Sequence, residues 1–203
     1  MYALVESGSI TKIFTNPKGF VLNNNQYPAD IFSKWTKAEK EAIGIYEVIT
    51  DSTNKKDEAY YINTNEQFDY ANNQVTRSWG TATPKRLEDE NAVDEDGKNI
   101  LDDDGNQVIN YGLKTEKKRI VKQQASGLLE KTDWHNHKAL DDDTYTIPDN
   151  IKSYRADVRA KSNEMESQID ACTNVDELKA LYEYTEQEDG TQTRPLAEFP
   201  KEI

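Results

Sequence analysis

The stretch that decides the fold is Leu128-Leu129-Glu130-Lys131-Thr132-Asp133-Trp134, followed after a polar loop and Pro148 by Tyr154-Arg155-Ala156-Asp157-Val158-Arg159. A basic run of good helix formers, Gly112 to Lys131, leads into the first block. The second block opens a run in which Ile151, Tyr154, Val158, Met165, Ile169 and Cys172 recur at intervals of 3, 4, 7, 4 and 3 residues. That spacing is one face of an amphipathic helix. Two such helices joined by a short loop bury their stripes against each other, so the stretch predicts a helical hairpin with Trp134 covering its turn. Thr132 or Asp133 is placed to cap the turn, and Arg155 and Arg159, one helical turn apart, can reach nearby acids. Beyond Cys172, Thr173 and Asn174 with Asp176 and Glu177 restart a helix carrying Val175, Leu178, Leu181 and Tyr182, which makes a three-helix unit over 112–185. Residues 186–203 are polar until Leu196, Phe199 and Pro200 and read as an extended tail that docks by its last apolar residues.

Upstream of this unit the composition changes twice. Between Arg86 and Gly105 nine acids face only Arg86 and Lys98, and the segment repeats itself after eight residues: Asp94-Glu-Asp-Gly97-Lys-Asn-Ile100-Leu101, then Asp102-Asp-Asp-Gly105-Asn-Gln-Val108-Ile109. A calcium loop of the EF-hand kind has its glycine at position six, and here glycine stands at position four. The expected structure is therefore a pair of Asp-Gly turns in an extended acidic arm or linker, residues 86–111. The basic face of Lys114, Lys117, Lys118, Arg119 and Lys122 that follows is suited to an acidic surface, the nearest being the arm itself.

Residues 1–85 read as a small β-domain. Tyr2–Glu6 and Ser9–Phe14 flank Ser7-Gly8, a hairpin signal. Asn23-Asn24-Asn25 with Tyr27-Pro28 reads as an irregular loop between Leu22 and Ile31. Thr36-Lys-Ala-Glu39 is a capping box that starts one short helix ending near Gly44. Ile45–Ile49 and Tyr60–Ile62 are β-prone, and Phe68–Tyr70 and Val75–Trp79 form a second hairpin around Ala71–Gln74. Six of the eleven tyrosines and two of the three tryptophans lie before residue 85, so aromatic rings must build this core. The fold class expected is α+β: an aromatic-rich antiparallel β-domain with one short helix, an acidic arm, and a C-terminal helical hairpin or three-helix unit.

Composition narrows the function. Only 35% of the 203 residues are hydrophobic, which makes for a thin core, and the net charge of −13 argues against nucleic acid and anionic membranes as partners. No run approaches the roughly 18 apolar residues of a membrane span, and the opening Met1-Tyr-Ala-Leu-Val-Glu6 lacks a signal pattern. The single cysteine, Cys172, lies on the helical seam, where a buried thiol is expected. Asp133-Trp134-His135-Asn136-His137 invites a zinc reading, but zinc needs three or four ligands, and the expectation is a polar turn. No phosphate-cradling loop or activated nucleophile is visible, so no catalytic residue, cofactor or metal is expected. Tyr60, Tyr61, Tyr70 and Trp79 could instead line a stacking platform of a carbohydrate-binding module.

The block Leu128-Leu129-x-x-Thr132-Asp133-Trp134, with Pro148 and then Tyr154-Arg155-x-x-Val158-Arg159, resembles the C-terminal region of tail proteins and tail-fibre assembly proteins of tailed bacteriophages. The opening Met1-Tyr-Ala-Leu-Val-Glu and Gly44-Ile-Tyr46-Glu-Val48 also look like strands of such chains. Val158 stands where that family has leucine, and the acidic repeat has no counterpart in it, which weighs against a pure chaperone role. What the resemblance implies is a non-enzymatic virion component: a tail- or neck-associated adaptor, made in the host cytoplasm, that binds other virion proteins in an assembly. The alternative is a transient tail-fibre assembly chaperone. The residues it marks for structure or interaction are Leu128, Leu129, Thr132, Asp133, Trp134, Tyr154, Arg155 and Arg159; to these the tail adds Phe199 as a docking anchor.

Overall fold

The computed structural model describes residues 1–203, which divide into two compact units, Met1–Pro84 and Lys85–Ile203. The class is α+β.

In the first unit β1 (Tyr2–Glu6) and β2 (Ser9–Phe14) turn on Ser7 and Gly8, both at positive φ, as a two-residue hairpin connection requires. The segment read as an irregular loop is a second hairpin, β3 (Phe20–Leu22) with β4 (Asn25–Tyr27). Asn23 and Asn24 adopt the left-handed conformation at its turn, which asparagine tolerates better than other side chains. Two short helices follow where one was expected: α1 (Ile31–Lys34) buries Ile31 and Phe32, and α2 (Lys37–Ala42) starts on the capping box, with the Glu39 carboxylate accepting the Thr36 N–H at 2.8 Å. Then come β5 (Ile45–Thr50), β6 (Tyr61–Ile62), β7 (Gln67–Ala71), β8 (Gln74–Ser78) and β9 (Thr83–Pro84).

The main sheet runs β2-β1-β5-β8-β7 and is antiparallel except between β5 and β8, which pair in parallel. Strand alternation sends Leu4 and Ala3 to opposite faces. Leu4, Phe14 and Ile45 pack with Phe20, Ile31 and Phe32 from the overlying hairpin and α1. Ala3, Val5 and Val75 form the other cluster with Ile10 and Ile13 of β2 and Tyr70 of β7. The two outer strands thus approach each other, and the sheet curls. Gly44 fixes how the chain enters β5: its φ is +81°, and a Cβ there would lie 2.5 Å from the Val5 carbonyl oxygen.

In the second unit the acidic repeat is neither a loose linker nor a long ribbon. Short strands β10 (Glu90–Asn91) and β11 (Ile109–Asn110) close its base. Above them three backbone bonds form a ring, from Ile100 N–H to Ala92 O (3.0 Å), Val108 N–H to Ile100 O (2.9 Å) and Ala92 N–H to Val108 O (2.8 Å). Each eight-residue repeat supplies one side, and each turn is held by its first aspartate, Asp94 accepting from the N–H of Asp96 and Lys98, and Asp102 from Asp104 and Asn106. Gly97 and Gly105, at φ +77° and +81°, complete the turns.

Helix α3 (Leu113–Glu130) starts directly on the base of this arm. Its first N–H groups, orphans in any helix, are taken by the Arg86 and Leu87 carbonyls, and the Gly112 N–H by the Asp89 carboxylate. Helix α4 (Asp133–Asp141) occupies what the sequence suggested was a polar turn; α5 (Asp149–Ala171) and α6 (Val175–Ala180) follow, the latter capped by the Asn174 side chain on the Glu177 N–H. A small hairpin, β12 (Thr185–Glu186) with β13 (Gln192–Thr193), leads to the C-terminal segment. No helix is long and apolar enough to cross a membrane.

The tail is not free, and α5 has no exposed stretch of seam waiting for a partner. Tyr154, Val158, Met165, Ile169 and Cys172 are all buried. Leu196 is buried to 2% exposure, its N–H on the Leu181 carbonyl, while the Gln168 side chain holds Pro195 O and Ala197 N–H. Phe199 lies on Ala125, Tyr154 and Val158 beside Leu128 and Leu129. The chain's own end thus covers apolar area of the two long helices, because burying a leucine and a phenylalanine at home gains several kcal/mol.

Candidate functional site

The two motif blocks come together at one side chain. Arg155, 7% exposed, projects from α5 onto the end of α3. Its guanidinium donates to the Leu129 carbonyl (2.8 Å), the Thr132 hydroxyl (2.7 Å) and the Asp133 carboxylate (2.7 Å). Thr132, itself buried, donates to the Leu129 carbonyl at 3.0 Å. Its hydroxyl thus closes the turn after α3 and makes no cap on α4. The buried cation instead neutralises the end of α3, where unsatisfied carbonyls concentrate partial negative charge. A planar fork suits this task, since one guanidinium can serve three acceptors at fixed angles.

Leu128 and Leu129, half-buried, flank the same junction and carry Phe199. Tyr154 is buried beside them, whereas Arg159 is exposed and donates only to the Arg155 carbonyl at 3.3 Å. Trp134 does not cover the hairpin end. It is 53% exposed, because as the second residue of α4 it lies outside the α3–α5 interface, and the neighbouring position is buried in its place. That neighbour, His135, accepts or donates through Nδ1 to the Tyr145 hydroxyl and stacks under the Trp134 ring at 3.7 Å between centroids. Helical geometry separates His135 from the exposed His137, so the two rings do not share a face as they would in a strand.

Sequence reasoning missed the anchoring role of His135 and Tyr145, and of Lys114 it gave the contact with the arm but not that with α5. Lys114 Nζ bonds Glu88 and, at 3.0 Å, the Asp170 carbonyl at the end of α5, so it joins the arm to both long helices. The basic run signalled the contact with the arm, but nothing in it named the Asp170 carbonyl. Lys118 extends the contact to the Asp170 carboxylate at 2.7 Å, which holds its ammonium above the ordinary lysine range. Cys172 is buried and its thiol is pushed up by desolvation, the opposite of a reactive cysteine.

The aromatic platform does not form as an open surface. Tyr60, Tyr61 and Trp79 are each at most 7% exposed, and the Tyr70 hydroxyl bonds that of Tyr46. No family description, no curated protein and no solved structure matches the chain.

Proposed function

We propose that this chain is a non-enzymatic, virion-associated adaptor of a tailed bacteriophage, located at the tail or neck and binding other virion proteins. The observation that supports the reading is the meeting of the two blocks at Arg155: residues separated by a whole helix and loop form one bonded junction. Within it Arg155, Thr132 and Asp133 are structural. Trp134 is the contact residue, held in place by His135 and Tyr145 and left half-open to solvent. Rigid exposed tryptophans are the side chains that interfaces use as anchors.

A mass-spectrometric census of purified particles tests the proposal. Stoichiometric presence is expected; absence from finished particles would favour a transient assembly chaperone. Trp134→Ala should lower incorporation while costing the fold about 1 kcal/mol or less, the scale of one aromatic pair. A large loss of stability would mean that the tryptophan serves the fold after all.

A further inference from the structure

We propose that copies of this chain associate head to tail, the acidic arm of one seated in a basic groove along α3 of the next. The inference stands apart from the virion reading and would hold in any setting.

The groove consists of two cavities of about 560 and 510 Å³ that share Lys122; Lys118, Arg119 and Glu116 also line the first, and Arg159, Ser162, Asn163 and the Arg155–Asp133 pair the second. Two of its cations have a carboxylate already: Lys118 faces Asp170, and Lys122 faces Glu166 at 3.2 Å. Arg119 makes no ion pair, and Arg159 meets only a carbonyl. Two guanidiniums on one groove are thus left to receive carboxylates, the acceptor their geometry suits best.

The arm carries the matching charge. Asp94 and Asp102 are spent on their own turns, but Glu95, Asp96, Asp103 and Asp104 are exposed and form no ion pair. The ring of backbone bonds holds both turns in place before any partner arrives, so little conformational freedom is lost on docking. Within one chain the base of the arm bonds α3, through the Arg86 and Leu87 carbonyls and the Glu88 and Asp89 carboxylates, while the four tip carboxylates find no cation. A second copy supplies both halves of the contact. Because groove and arm are different surfaces, the contact is heterologous and builds rings or filaments.

Sedimentation equilibrium of the full chain provides the test. At about 0.1 M salt association should appear, and at about 1 M it should be lost, since screening shortens from about 10 Å to 3 Å. Arg119→Glu with Arg159→Glu, and separately Glu95→Lys, Asp96→Lys, Asp103→Lys and Asp104→Lys together, should each weaken association about tenfold or more. Mixing the two variants should restore it, because each then meets an opposite charge. All six side chains are exposed and none is a partner of the Arg155 guanidinium, so unchanged circular dichroism is expected. A chain that stays monomeric up to about 0.5 mM, or association that neither variant alters, would overturn the inference. So would failure of the mixture to recover. None of these results bears on the particle census.

Discussion

The two units solve the same shortage of apolar residues differently. The sheet unit uses large rings: Phe14, Phe20 and Phe32 lie with centroids 5.0 to 5.9 Å apart, and Tyr2, Tyr27 and Trp35 pack around them. The helical unit has few rings inside and uses buried cations instead, Arg155 at the end of α3 and Lys114 at the end of α5. Rings contribute through area and tolerate small shifts. A buried cation contributes through matched acceptors, and its loss leaves those acceptors stranded.

The largest effect should follow from Phe32→Ala, which empties the centre of the ring cluster and should cost about 3 to 5 kcal/mol in urea unfolding of the full chain. Arg155→Ala should cost about 3 kcal/mol because Leu129 O, Thr132 and Asp133 lose their donor together. Arg155→Met separates the two accounts: it keeps most of the volume, so a nearly full recovery would show that packing, not polar matching, is what Arg155 supplies. Leu196→Ala should cost about 2 to 3 kcal/mol, since the tail residue is as buried as any core leucine. A neutral result would return the tail to solvent and reopen the groove beneath it.

The smallest effect concerns Tyr46. Tyr70 has Asn73 Oδ1 at 3.0 Å to take its proton, which leaves Tyr46 as donor between the two hydroxyls, and the Tyr46 phenol is pushed up to about 12. A folded-state value above the ordinary value of about 10 means the contribution is complete below that pH and is lost as pH rises toward 12. Tyr70→Phe should bring the Tyr46 titration, followed by ultraviolet absorbance, back toward its ordinary value. An unmoved titration would show that burial alone sets it.

What the sequence made legible was local. Thr36 and Glu39, Asn174 and Glu177, Ser7 and Gly8, and the two Asp-Gly turns each act within about four residues, and each could be read from type and spacing. The α5 seam was legible for the same reason, since its period is a property of one helix. The parallel pairing of β5 with β8 was not, because nothing in Ile45–Thr50 names a strand 27 residues later. The β3–β4 hairpin was missed because Asn23 and Asn24 read as an irregular loop until their left-handed backbone conformation is known. At the site, the blocks were visible but the direction of each side chain was not: one residue of helical phase exchanged Trp134 for His135 as the buried member. The tail's return likewise depends on where α5 and α6 leave a gap, which no periodicity encodes.

The base of the acidic arm has a practical consequence. Glu90 faces Asn110 and Asn91 faces Ile109, so the chain leaves and returns at the same point, with the α3 anchors Asp89 and Gly112 outside the excursion. Residues 92–108 are therefore a cassette. They can be excised for a tight turn, or exchanged for a peptide tag or fluorophore site, with the helices still seated. The ring of backbone bonds also makes the cassette indivisible: removing one eight-residue repeat deletes a side of the ring, so its length can change only as a whole.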